Sequence, residues 1–153
     1  MNHTTLNRRH FLGATAMLAV LGPMAARAAT DAPAMHVVKT PTCGCCGAWV
    51  DLARQTGFEV TVTDTDDYDG MKSAQAVPEA LWSCHTATVA GYVIEGHVPF
   101  AAIRKLLSDR PRITGLAVPG MPGDSPGMAG GADAVVPVVA WGGDAGDAAP
   151  FSF

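Results

Sequence analysis

Three of the four cysteines in this chain fall within four residues, Cys43-Gly44-Cys45-Cys46, and the segments on either side dictate what can hold them. Upstream, Met35-His36-Val37-Val38-Lys39 is a short apolar run stopped by Thr40-Pro41, which predicts a buried strand. Downstream, Trp49, Val50, Leu52 and Ala53 recur at helical spacing, and Gly57 supplies a C-terminal stop. The cysteines thus fall in a turn over 42–47, between a strand and a helix.

The rest of the chain extends this pattern. Residues 58–63 alternate apolar and polar, the period of a strand. Asp66 or Asp67 is placed to cap a short helix running to about Gln75, ahead of Pro78. Residues 86–90 and 92–95 predict two strands joined at Gly91, and Pro99 suits the first turn of a helix carrying Phe100, Ile103, Leu106 and Leu107. Arg110-Pro111 ends that helix, and 113–118 reads as a further extended piece. The order strand, cysteine turn, helix, strand, helix, strand, strand, helix predicts a thioredoxin-like α/β domain, a central mixed sheet flanked by helices. Residues 119–131 form a Gly/Pro-rich loop containing Met121 and Met128, and 132–153 form a C-terminal hairpin or a tail.

Composition excludes several classes. With 48% hydrophobic and 16% charged residues, the 153-residue chain is neither a disordered acidic tail, a coiled coil nor a basic nucleic-acid binder. Asn7-Arg8-Arg9-His10-Phe11-Leu12, an apolar stretch and Ala26-Arg27-Ala28 read as a twin-arginine-type export signal over 1–28, removed before a domain of 29–153. That places the mature protein in the periplasm, without a membrane anchor. Arg8, Arg9 and Arg27 leave with the signal, so seven basic side chains face fourteen acidic ones and no polybasic patch remains for phosphates or anionic lipid.

In an oxidising compartment, four cysteines admit two structural disulfides, although a vicinal Cys45–Cys46 bond is strained. Cys43 and Cys46 alone form a CxxC pair at a helix N-terminus, which stabilises thiolate and suits a thiol–disulfide oxidoreductase. A metal site uses every sulfur. In a thioredoxin-like fold, Ser83-Cys84-His85-Thr86 re-enters opposite the cysteine turn and brings Cys84 and His85 toward Cys43, Cys45 and Cys46. Such a soft set suits Cu(I) or Zn(II), the latter as a zinc-stabilised interaction module. Thioethers favour Cu(I), so Met121 and Met128 turn the reading toward copper. Alternatively, each methionine fills an apolar gap.

Other polar residues have plainer readings. His97 precedes Pro99 and reads as structural or as a residue at the start of the third helix, while His36 lies on the first strand as core or rim. Trp49 is expected to pack beneath the cysteine turn. The run Asp64, Asp66, Asp67 and Asp69 lacks calcium-loop spacing, with Tyr68 where an oxygen ligand is needed, and is a solvated helix-capping face. Neither a phosphate-binding glycine loop nor a nucleophile elbow is present.

Four separated motifs, in order, resemble those of the CopG-type periplasmic copper-resistance proteins. They are the segment Lys39-Thr40-Pro41-Thr42-Cys43-Gly44-Cys45-Cys46-Gly47-Ala48-Trp49, then Ser83-Cys84-His85-Thr86-Ala87, then Gly91 to Pro99, then Gly115 to Pro122 with Ser125-Pro126-Gly127-Met128. The resemblance spans roughly 35–128. It implies a thioredoxin-like fold with a copper–thiolate cluster on Cys43, Cys45, Cys46 and Cys84. It also implies association with copper-efflux systems and cycling between Cu(I) and Cu(II). The Ala/Gly-rich stretch 135–153 departs from the more charged closing hairpin that the family leads one to expect.

Overall fold

Alternation along the first apolar run sets the sheet. The computed structural model describes Met1 and residues 32–153, so the expected export signal lies, but for Met1, outside the described residues. In β1 (Ala34–Lys39), Met35 and Val37 enter the core while His36 stays exposed at the rim, bonded to Thr63. The helix α1 (Gly44–Gln55) carries the chain over to β2 (Glu59–Asp64), which pairs parallel with β1. The helix begins earlier than its apolar spacing indicates, because the cysteines form its first turn and Cys43 is its N-cap. Thr56 caps its C-terminus, with Gly57 following at φ 95°.

Next come α2 (Tyr68–Ala74), capped by Asp67, and a single 3-10 turn at Glu79–Leu81. The strands β3 (Thr86–Val89) and β4 (Tyr92–Glu95) form a hairpin, and β3 also pairs antiparallel with β1. The helix α3 (Phe100–Asp109), capped by Pro99, returns the chain to β5 (Gly115–Ala117), parallel to β4. Past the Met-containing loop, β6 (Val139–Trp141) and β7 (Ala149–Pro150) close the sheet as a hairpin. Among the described residues, seven strands run β2-β1-β3-β4-β5-β6-β7. The fold is thus the expected α/β arrangement, with a mixed sheet, three helices and the C-terminal hairpin ordered as an extension of the sheet. Its small residues are used for close approach: Gly115 lies under Trp141 and against the Val93 carbonyl, where a Cβ does not fit.

The core divides across the sheet. Trp49, Val50 and Ala53 of α1 and Phe100, Ile103 and Leu106 of α3 pack on one cluster with Val37, Ala87, Ile94 and Leu116. Val93, the neighbour of Ile94, turns instead to a smaller cluster with Val77, Leu81, Ala117 and Trp141. No helix among the described residues is long and apolar enough to cross a membrane.

A buried ion pair joins α2 to β4. Lys72 Nζ donates to Glu95 Oε1 at 2.7 Å, and both side chains are fully enclosed. Glu95 also accepts from the Ser83 N–H at 2.6 Å and the Thr86 hydroxyl at 2.7 Å. Burial pushes the Glu95 carboxyl up and the Lys72 ammonium down, and each partner opposes the other's shift. Lys72→Met alone is expected to cost about 3–5 kcal/mol, because it strands a buried carboxylate. Lys72→Met with Glu95→Gln is expected to recover most of that loss, since the amide still meets Ser83 and Thr86. Urea denaturation of the metal-free variants measures both, and equal losses would show that the pairing is not what matters.

Candidate metal centre

The strand register decides which residues meet. Val38 of β1 pairs with Thr86 of β3 in antiparallel sense. The carboxyl end of β1, leading to the cysteine turn, therefore faces the residues just before β3. The Sγ atoms of Cys43, Cys45, Cys46 and Cys84 lie within 4.8 Å of one another. Cys45 sits centrally, 3.5 Å from Cys43 and 3.6 Å from Cys84. Cys43 and Cys46 are joined as a disulfide, and Cys45 and Cys84 are free thiols. Cys43 Sγ also accepts the Cys46 N–H at 3.4 Å, so a sulfur serves as the helix cap.

Four bonds hold the Cys84 segment. Besides the Ser83 N–H bond to Glu95, the Tyr68 hydroxyl donates to the Ser83 carbonyl at 2.7 Å. The Ser83 hydroxyl donates to the Gly120 carbonyl, while the Gly120 N–H returns to Trp82 at 3.2 Å. This pairing with 120 delivers Met121, whose Sδ lies 2.8 Å from Cys84 Sγ. Met121 is 61% exposed and stands at the mouth of a cleft of about 250 Å³, lined with Thr40, Cys43, Tyr68, Trp82 and Cys84. Met128 is exposed, and its loop brings Gly127 to the site instead. A Cβ at Gly127 would lie 2.9 Å from the Cys45 carbonyl oxygen, so a glycine is what allows the loop to cover the start of α1.

His85 is fully buried, with its ring 4.5 Å from that of Trp49 and 5.2 Å from that of His97. It is grouped with Cys46 and His97 rather than with the four sulfurs as a set. Trp49 lies where the sequence places it, with its Nε1–H donating to the Val98 carbonyl at 3.1 Å. His97 was legible only as a structural residue. The hairpin register supplies the missing signal, because pairing Thr86 with Glu95 brings the residues flanking both strand ends together.

Charge at the site is unevenly supported. The Cys84 thiol is pushed up to about 12, first by burial, then by the hydrogen bond and charge of Cys45; Lys72 opposes this and Glu95 adds to it. Burial holds His85 well below its ordinary range, reinforced by the charges of His97, Lys72 and Lys39. Burial also lowers His97, against the pull of its bond to Pro126. Two neutral imidazoles thus lie behind a set of soft sulfurs, an arrangement suited to a soft metal ion.

Comparison with known proteins comes to the same region. Residues 81–128 match the family described as "Protein of unknown function, DUF411". Two solved structures titled copper resistance protein copG are similar to the chain. Form 2 has 39% identity and a TM-score of 0.68, covering 77% of this chain and 94% of that one. Form 1 has 40% identity and a TM-score of 0.67, covering 76% and 93% respectively. No curated protein matches the sequence.

The position of Cys84 fixes a pH dependence. In the metal-free disulfide form, Cys84 alkylation is expected to rise about tenfold per unit between about pH 7 and pH 10, following the thiolate fraction. Peptide mapping after iodoacetamide treatment reads it, and a plateau near pH 9 would contradict the assigned burial. The raised thiol also costs stability in alkali: the unfolded chain loses this proton first, so stability falls as pH rises above the ordinary thiol value of 9.0 toward about 12.

Proposed function

This chain belongs to the family of CopG copper-resistance proteins, and on that basis we propose that it captures Cu(I) in the periplasm as a thiolate cluster of several ions. The observation carrying this reading is the convergence of four Sγ atoms within 4.8 Å, extended by the Met121 thioether beside Cys84. Thiolates and thioethers prefer Cu(I), and closely spaced thiolates bridge ions rather than each holding one. Cys43, Cys45, Cys46 and Cys84 are the sulfur ligands in this reading. His85 approaches through Cys46, while Met128 could join only by movement of its loop. Copper is cargo here: holding it protects the compartment, and the exposed Met121 gives copper-efflux partners a point of transfer.

The Cys43–Cys46 disulfide adds a condition. Four thiolates exist only after it accepts two electrons and two protons, so loading follows reduction. Binding then displaces thiol protons, including the strongly held one of Cys84, and affinity falls in acid. Redox interconversion of Cu(I) and Cu(II) at this site belongs to the same proposal. The disulfide also favours a second reading, thiol–disulfide exchange through Cys43 and Cys46, which needs neither copper nor Cys84.

Anaerobic titration of the reduced chain with Cu(I), against a competing chelator, separates the two. The expected result is more than one copper per chain, with uptake weakened by Cys45→Ser and by Cys84→Ser. Metal-free protein is expected to leave insulin disulfides intact. Single-site uptake indifferent to Cys84, together with insulin reduction, would replace the cluster with the oxidoreductase.

A further inference from the structure

The four-sulfur cluster leaves one group of buried donors without a role. Cys46, His85 and His97 are all fully enclosed, and the Cys46 sulfur and one ring nitrogen of each histidine lie within 4.8 Å of one another. Both ring nitrogens of His85, and Nε2 of His97, have no hydrogen-bond partner among the described residues. A buried polar atom without a partner loses its hydration with nothing in return, so three in one group call for an occupant that satisfies them.

The tautomer of His97 indicates what that occupant is. Its Nδ1 lies 2.7 Å from the Pro126 carbonyl oxygen, which can only accept, so Nδ1 carries the proton. Nε2 is then left with a lone pair facing the interior. A histidine anchored by an Nδ1–H bond to a backbone carbonyl, with Nε2 free, is oriented as a metal ligand. The anchor is itself fixed, because the Ser125 N–H and hydroxyl both donate to the Pro122 carbonyl. His85 is held by a different element, through its contact with the Trp49 ring.

We propose that Cys46, His85 and His97 form a second copper site, a buried centre of two nitrogens and one sulfur beneath the cysteine cluster, with the Cys46 thiolate bridging the two. An all-sulfur cluster commits copper to Cu(I), whereas one thiolate with two imidazoles accommodates Cu(II) as well. The inference rests on the copper-binding reading, and it too requires the disulfide to be opened. A dithiol reductant supplies two electrons and two protons and becomes a disulfide itself. Cys43 and Cys46 become thiols, and Cys46 gives up its proton when it binds the ion.

Two variants of the full chain test the site. His85→Leu removes two unpartnered nitrogens, and His97→Asn keeps a donor for the Pro126 carbonyl while removing Nε2. Each reduced variant is loaded anaerobically with Cu(I) beside the unaltered protein and Cys84→Ser, then studied by elemental analysis and copper X-ray absorption. The expected result is the loss of about one copper ion per chain in each histidine variant, with the nitrogen contribution gone and the sulfur contribution retained. Metal-free His85→Leu is expected to melt no lower than the unaltered protein, since it removes unsatisfied polar atoms. Copper bound by sulfur alone in the unaltered protein would overturn this site and leave the cluster standing. So would undiminished copper in variants that melt lower, which would assign the nitrogens to an internal water. Failure of the unaltered protein to bind copper would overturn the cluster as well.

Discussion

The Glu95 carboxylate is the contact on which the site's geometry depends. It binds Lys72 of α2, the hydroxyl of Thr86 at the start of β3 and the N–H of Ser83. One side chain on β4 thereby ties three segments, and the last of them carries Cys84. Desolvating two charges is expensive, and a single attraction between them does not reliably recover the cost. Three donors around one carboxylate change that balance, because both oxygens are satisfied and Lys72 gains a second acceptor in Thr86 at 3.2 Å. What this contact specifies is position. Ser83 is held from below by Glu95 and from the side by Gly120, so Cys84 and Met121 arrive together.

Sulfur crowding then argues for a metal on electrostatic grounds. Two unit charges about 4 Å apart repel by about 4 kcal/mol at an effective dielectric of about 20. Four bare thiolates at this separation therefore cannot coexist. The helix N-terminus relieves some of this at Cys43, whose sulfur takes the Cys46 N–H. Cys84, on the opposite wall, has no such cap and keeps its proton up to about 12. Protons, a disulfide or cations must neutralise the set, and monovalent soft ions do so while satisfying every sulfur at once.

The sequence exposed the sulfur chemistry but not the polar support. The cysteine turn and the element order followed from local pattern, because strand alternation and helix capping are local effects, and the opposition of Cys84 to Cys43, Cys45 and Cys46 followed from the thioredoxin-like topology which that order implies. The start of α1 was placed too late because Cys43-Gly44-Cys45-Cys46 lacks the apolar spacing that marks a helix, while its sulfur cap fixes the boundary. Lys72 and Glu95 were invisible: each lies in an ordinary amphipathic segment, and only the packing of α2 against β4 shows that both are enclosed. His97 reads from the sequence as structural or as a helix-entry residue, and its neighbourhood is hidden for a related reason. Its partners come from the β3–β4 register and from the loop at Pro126, both distant in sequence. The C-terminal stretch is ordered because its valine-rich run 135–141 finds an edge on β5, and because Gly115 leaves room for Trp141.

Cys46 stands at the junction of these arguments. It is the fully buried member of the sulfur set, it shares a disulfide with Cys43, and its sulfur is grouped with the two histidines. Closing that disulfide withdraws two donors from the outer cluster and the only sulfur from the inner group in one covalent step. What remains, Cys45, Cys84 and Met121, is a smaller set at the solvent side of the cleft. The same bond therefore sets both how many soft donors the protein presents and whether the histidines behind them have a sulfur to share. In such an arrangement, capacity for metal follows the redox state of one cysteine pair.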